Sequence, residues 1–297
     1  MNLEYLKTFY LAVKSNSISK AAKLLNMSQP GVSIQIQSLE KELSTKLLER
    51  SNKGVELTDA GQIVYDYAVS ILSIQENIER QLSSYKKQKT ELIVSSCTTV
   101  GSYALPCSLY LFKEKYPHVN VLLDITNSTN VMENILQGSA KIGLIEGDIV
   151  NKQINKILVT SDILKIAVSP TAYAYDEITM EQFLTLPFII RELGSGTRDV
   201  FSSTLSNAGI NMQDVNVVME LCSAEAIKSA VVAGKGVSVF SDLAIKKELA
   251  TGVLKEVRIS GISFRANYYL VHNKNMGLVE TEQDFYDFIM SNKRGFC

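Results

Sequence analysis

The sequence predicts a multidomain chain: an all-α head with a small wing, one long linker helix, and an α/β body. Three observations predict it. Apolar residues recur at helical spacing from Leu3 to Leu43. A second helical stripe runs unbroken from Val64 to Ile78. Beyond Glu91, short apolar runs alternate with amphipathic stretches, the pattern of a mostly parallel sheet with helices on its faces.

In the head, Leu3, Leu6, Phe9, Tyr10 and Val13 share one face of a first helix. Ser17 stands before Ile18, Ala21, Ala22 and Leu25, as an N-cap stands before a short amphipathic helix. Asn26 and Met27 break the chain. Ser28 caps a third helix and Pro30 occupies its first turn, where a missing N–H is harmless. That helix buries Val32, Ile36, Leu39 and Leu43. Residues 47–50 and 55–57 flank a turn, giving strand, turn, strand: the wing.

Thr58 caps the linker helix, which is expected to reach about Lys87 and to span about 45 Å. Val64, Tyr67, Ile71, Ile74 and Ile78 alternate steps of three and four, and Leu82 and Tyr85 continue the face. A seam with no partner in its own sequence predicts a dimer. In the body, strands are expected over 92–95, 119–126, 142–145, 187–190, 215–221 and 237–240. Helices are expected over 101–116, 131–137, 197–208 and 224–232. The domain boundaries follow: 1–58 for the head, 59–88 for the linker helix, 89–297 for the body.

Composition sets limits. Of 297 residues, 46% are hydrophobic and 21% charged, as in an ordinary soluble protein. No apolar run reaches the about 18 residues of a membrane span, and the first residues lack the basic-then-apolar layout of a secretory leader. A cytoplasmic protein is expected. Cys97, Cys107, Cys222 and Cys297 form no CxxC pair and only two histidines exist, so no metal site is expected. Four reduced, mostly buried thiols are expected, with a Cys97–Cys107 redox pair as the alternative. Residues 1–57 hold eight Lys/Arg against five Glu, a net +3 hidden in a chain of total charge −1. A basic head on an acidic body suits nucleic-acid binding at the head.

The third helix carries the DNA-reading candidates. Opposite its buried stripe stand Gln29, Ser33 and Gln37, with Ser28 and Pro30 at its start. Gln pairs with adenine through its amide, and recognition helices present their N-terminal residues to base edges. Lys20, Arg50 and Lys53, with Lys23, are the candidate backbone or minor-groove contacts.

The stretch from Leu3 to Gln62 resembles the LysR family's winged helix-turn-helix. The pieces that match are the opening Leu-x-x-Leu-x-x-Phe, Ser17-Ile-Ser-x-Ala-Ala, Ser28-Gln-Pro-x-Val-Ser, Leu39-Glu-x-x-Leu, Leu48-Glu-Arg and Leu57-Thr-x-Ala-Gly. The resemblance implies a homodimer through the linker helix, paired into a tetramer on double-stranded operator DNA, with RNA polymerase a further candidate partner. It departs from the family at Ile34 and Gln37, where basic residues are usual. Losing two cations weakens phosphate contact and makes binding less salt-sensitive.

The body resembles the family's effector domain, which has the two-lobed fold of periplasmic binding proteins. The resemblance places lobe I at about 89–162 and 267–297 and lobe II at about 163–266. Crossings fall near Ser161–Leu164 and Arg265–Tyr268. Three segments then meet the cleft at strand ends and helix starts. They supply the effector candidates Thr98, Thr99 and Ser102; Asn127, Ser128 and Thr129; and Ser195, Gly196, Thr197 and Arg198. The run Arg191-Glu-Leu-Gly-Ser-Gly-Thr-Arg198 combines tight-turning glycines, hydroxyls and a permanent charge, which favours an anion. With Leu144–Gly147 and Ser223–Ile227, that run resembles regulators of sulfur assimilation or carbon fixation. Glu146 and Asp162 fall near the same cleft without a readable role. No cofactor is expected. No nucleophile elbow, phosphate loop or dinucleotide fingerprint occurs, so the chain is not read as an enzyme.

Overall fold

The computed structural model describes residues 1–51, 54–86 and 90–297, without the side chains of 50, 51, 54, 76, 77, 80, 81 and 83–86. Lys53, the side chains of Arg50 and Tyr85, and the junction at 87–89 therefore lie outside the described residues. The chain divides into two units: Met1–Ser83 with Gln137–Ser139, and Ser84–Leu136 with Ala140–Cys297.

The first unit contains helices α1 (Leu3–Lys14), α2 (Ile18–Leu24) and α3 (Gln29–Glu42), the hairpin β1 (Leu48–Ser51) and β2 (Gly54–Leu57), and helix α4 (Asp59–Lys86). The expected caps form: Ser17 Oγ accepts from Lys20 N, Ser28 Oγ from Gly31 N, and Thr58 Oγ1 from Gly61 N. Asn26 turns the chain in left-handed backbone at φ 53°. Leu6, Phe9, Leu39, Leu47 and Ala68 form one small core; Ala12, Ala21, Ala22, Val32 and Ile36 form a second.

The seam of α4 is divided. Val64 and Ile71 pack onto the unit's own core, whereas Ile63, Tyr67, Ile74, Ile78 and Leu82 are exposed. The three-four stepping predicts one stripe, but an apolar stripe wider than a coiled-coil seam serves two faces at once.

The second unit is two-lobed. β3 (Thr90–Cys97), α5 (Thr98–Tyr103), α6 (Leu105–Lys115), β4 (Val119–Thr126), α7 (Ser128–Gln137) and β5 (Ile142–Glu146) build the first lobe. The single helix expected over 101–116 starts three residues earlier and breaks at Ala104, before Pro106, whose ring cannot continue a helix interior. β6 (Ile154–Val168) then runs through both lobes. β7 (Glu177–Ile178), α8 (Met180–Thr185), β8 (Phe188–Arg191), α9 (Gly196–Asn207), β9 (Val217–Leu221), α10 (Ala224–Val232), β10 (Ser238–Ser241), α11 (Asp242–Ala250) and β11 (Lys255–Ile259) make the second lobe. β12 (Phe264–Asn273) returns antiparallel to β6, and α12 (Glu280–Met290) closes on the first lobe through Phe285, which meets Phe112 edge-on at 5.2 Å.

Sheet pairing is mixed. β3 lies parallel between β4 and β5, and β8 runs parallel to β9, but β5, β10 and β11 pair antiparallel with β12 or β6. The crossings at Ser161–Leu164 and Arg265–Tyr268 sit on β6 and β12 and pair with each other.

The cysteine expectation is overturned. Cys107 and Cys297 form a disulfide across 190 residues of sequence, with Cα atoms 5.4 Å apart. Cys97 is buried and Cys222 exposed, both free. Burial, reinforced by Glu146, pushes the Cys97 thiol up to about 12, so it holds its proton and is a poor nucleophile.

Candidate functional site

Two surfaces carry the candidate residues. On the first unit, α3 presents Ser28, Gln29, Pro30, Ile34 and Gln37 to solvent, and Ser33 is half-buried. Lys20 and Lys23 are exposed on α2. A groove lies between α3 and the wing, lined among others by Ser33, Gln37, Lys46, Glu49 and Val55. Three bonds tie the wing to the helices. Glu40 Oε1 accepts from Leu47 N at 2.8 Å and from Leu48 N at 3.2 Å, and Asn16 Oδ1 accepts from Val55 N at 3.0 Å. Gln29 is lightly held: its Oε1 accepts from Ser19 Oγ at 3.2 Å.

On the second unit, several of the predicted cleft residues are held by the segments around them, some across the lobes. Thr129 N donates to Gly194 O at 3.2 Å, and Asn127 Nδ2 donates to Glu192 Oε1 at 3.4 Å. Ser128 Oγ exchanges bonds with the backbone of Glu146 at 3.1 Å. Gly196 lies so close to Glu146 that a Cβ there would sit 2.3 Å from the Glu146 carbonyl. Gly194 turns at φ +86°, with Thr129 against it. These segments form the joint between lobes. Ser195 is buried and Ser102 is exposed; neither lines the pocket between Thr99, Tyr103 and Arg191.

That pocket is narrow, and is lined by Thr99, Tyr103, Arg191, Thr197, Ala224, Ile227, Val239, Phe240, Ser241 and Ala244. Its charge comes from Arg191, only 6% exposed. Arg191 donates through Nε to Glu192 Oε2 at 2.8 Å and through Nη2 to Glu192 Oε1 at 2.9 Å and Thr98 Oγ1 at 3.3 Å. Burial pushes the Glu192 carboxyl up, but the Arg191 bonds and charge outweigh it and hold the group below the usual range.

Arg198, the cation singled out from sequence, is directed elsewhere. Its Nη1 donates to the Arg191 carbonyl at 2.9 Å and to Glu220. Sequence reasoning placed both arginines in the motif and weighted the second. The phase of α9 decides between them, and that phase depends on Gly196 seating against Glu146.

Glu146 lies under the pocket wall. Its Oε2 accepts from Thr99 Oγ1 and Thr197 Oγ1, each at 3.0 Å, and its Oε1 has no hydrogen-bond partner among the described residues. Burial pushes its carboxyl up to about 7; the two threonines and Arg191 pull it down, and Asp162 adds to the rise. Asp162, on β6 at the crossing, accepts from Ser241 Oγ and from Tyr268 Oη at 3.3 Å. At the pocket mouth Tyr103 Oη donates to Glu225, which Lys228 also holds at 2.9 Å. Among the described residues no cluster of His, Cys, Asp and Glu is arranged to hold a metal, and no helix is long and apolar enough to cross a membrane.

Residues 3–62 match the bacterial regulatory helix-turn-helix of the lysR family, and residues 86–294 match the LysR substrate binding domain. A probable RuBisCO transcriptional regulator of Cyanidioschyzon merolae is 34% identical, over 92% of each chain. The crystal structure of CbnR, a LysR family transcriptional regulator, superposes with a TM-score of 0.70 at 21% identity, over 97% of this chain and 98% of that one. The regulatory domain of Synechocystis CcmR, solved in complex with 2-PG, superposes with a TM-score of 0.61 at 24% identity, over 68% of this chain and 96% of that one. A winged helix-turn-helix head and a two-lobed body agree with these matches: the chain belongs to the LysR family and is a DNA-binding transcription regulator with an effector-binding domain, not an enzyme.

Proposed function

We propose that this regulator binds operator DNA as a homodimer joined through α4, paired into a dimer of dimers, and that a small anionic metabolite in the cleft tunes its hold on DNA. The observation that carries the reading is Arg191, buried at the junction of the lobes in a pocket lined also by the hydroxyls of Thr99, Thr197 and Ser241 and by Ile227, Val239 and Phe240. A buried guanidinium with an apolar wall suits a short acid with a small carbon skeleton. The complex of CcmR with 2-PG and the RuBisCO regulators among the relatives support an acid of carbon metabolism. Coupling follows if the anion binds one lobe arrangement better than another. The exposed face Tyr67–Ile74–Ile78–Leu82 supports self-association. Gln29, Ser33 and Gln37 are proposed to meet base edges and Ser28, Pro30 and Lys20 the backbone; RNA polymerase is a candidate partner of the bound form.

The test is operator binding by the full chain against a panel of sulfate, phosphate, short carboxylates and phosphorylated hydroxy acids. The operator is first recovered by sequencing DNA that copurifies from cells. At least one anion is expected to shift affinity or footprint. If none binds by calorimetry, the body is a scaffold rather than a sensor.

A further inference from the structure

Thr99 and Thr197 both line the pocket, and each commits its hydroxyl proton to Glu146 Oε2 at 3.0 Å. A threonine hydroxyl has one proton and two lone pairs. With the proton turned inward, both residues offer only lone pairs to the pocket, the wrong polarity for an anion. A carboxylate behind them adds like-charge repulsion. Protonating Glu146 at Oε2 reverses this. Its O–H then donates to one threonine oxygen, and that threonine's own proton is free to point into the pocket.

We propose that an anion entering the cleft binds together with one proton, taken from solvent by Glu146. The proposal rests on the reading that the cleft holds an anion. The bookkeeping is simple: the carboxylate gains one proton, one threonine O–H rotates, and no bond to carbon changes. Oε1, enclosed without a partner among the described residues, lacks a bond that would favour the ionised form. The groups facing Glu146 agree. Arg191 on β8 favours its charge but is already paired with Glu192; Asp162 on β6 opposes it; Tyr268 on β12 and Cys97 at the end of β3 are buried and kept protonated. A carboxyl pushed up to about 7 takes the proton at little cost near neutrality.

Sulfate is the probe, because its own charge does not change over the range. Calorimetry of the full chain, in buffer pairs of differing ionisation heat, counts protons taken up per sulfate bound. About one is expected near pH 8.5 and almost none near pH 6, with affinity falling up to about tenfold per pH unit above neutrality. Glu146→Gln should bind sulfate without proton uptake or pH dependence. Binding by the wild type that is independent of pH overturns the proposal, as does uptake that persists in Glu146→Gln. If neither protein binds sulfate at any pH, this inference is overturned, and the panel of carboxylates and phosphorylated acids decides the anion reading separately. The wild-type count decides the coupling even where the variant fails to fold. Thr197→Val then locates it, by an expected loss of about fivefold in sulfate affinity near pH 6; an unchanged affinity overturns the threonine relay.

Discussion

Arg191 and Glu192 are neighbours in the chain and also face each other as a two-point ion pair, Nε to Oε2 at 2.8 Å and Nη2 to Oε1 at 2.9 Å. The buried cation of the cleft thus carries its own counter-ion. An anion entering there would have to share or displace it, so on the proposed reading the pair is a built-in competitor.

Arg191→Gln is expected to abolish sulfate binding by calorimetry and leave operator binding without anion unchanged. It should also lower stability by about 2 kcal/mol, because half-buried Glu192 loses its partner. Glu192→Gln should instead tighten sulfate several-fold. Arg198→Ala should change sulfate affinity less than about threefold and cost about 1 kcal/mol in a chemical melt, since its partners are Glu220 and a carbonyl. A loss of binding in Arg198→Ala equal to that in Arg191→Gln would return the anion to the second arginine.

Glu146 gives stability a pH dependence of known sign. Its carboxyl is raised from 4.5 to about 7 in the folded state, so the folded chain holds a proton that the unfolded chain releases. The favourable contribution is complete below about pH 4.5 and lost as pH rises through about 7. The loss is on the order of 3 kcal/mol at most. Thermal melts of Glu146→Gln between pH 5 and 8 should lack this decline; a parallel decline in both proteins assigns it to another group.

Gln29 occupies the first position of α3, exposed, with its Oε1 accepting from Ser19 Oγ. Gln29→Ala should cost about 1–3 kcal/mol on the operator and little on random DNA, measured by mobility shift. Equal losses on both would make Gln29 a backbone contact.

Ile78 is 54% exposed on the outer face of α4. Ile78→Glu should raise the dimer dissociation constant at least about tenfold in sedimentation, because it places a charge in an apolar seam. The helix itself should remain, since Ala68 and Leu72 on the inner face are untouched.

The head was legible because its signals are local. Ser17, Ser28 and Thr58 each announce a helix within three residues, and the wing's turn separates two short apolar runs. The α4 stripe was legible as a helix but not as two faces: Val64 and Tyr67 differ by one step of three, yet one is packed and the other exposed. In the body, the alternation of strands and helices was readable, but the pass-through strands β6 and β12 were seen only as crossings, because strands that pair with several partners carry no single pattern. The cleft was half legible. The segments expected there do come together, but their mutual bonding carried no signal, since Glu146 meets Thr99 and Thr197 from 47 and 51 residues away. No spacing rule couples positions that far apart.

The Cys107–Cys297 bridge turns most of the effector unit into a covalent ring that passes through both lobes. A single nick inside that ring leaves one molecule, not two fragments, until the bridge is reduced. Closing a loop of this length lowers the freedom of the unfolded chain by about 5 kcal/mol in the chain-entropy account. That is comparable to the whole margin by which many domains stay folded. The thermal endurance of the sensing half is therefore set by its thiol chemistry as much as by its packing, while the DNA-reading half, which contains no cysteine, is indifferent to it.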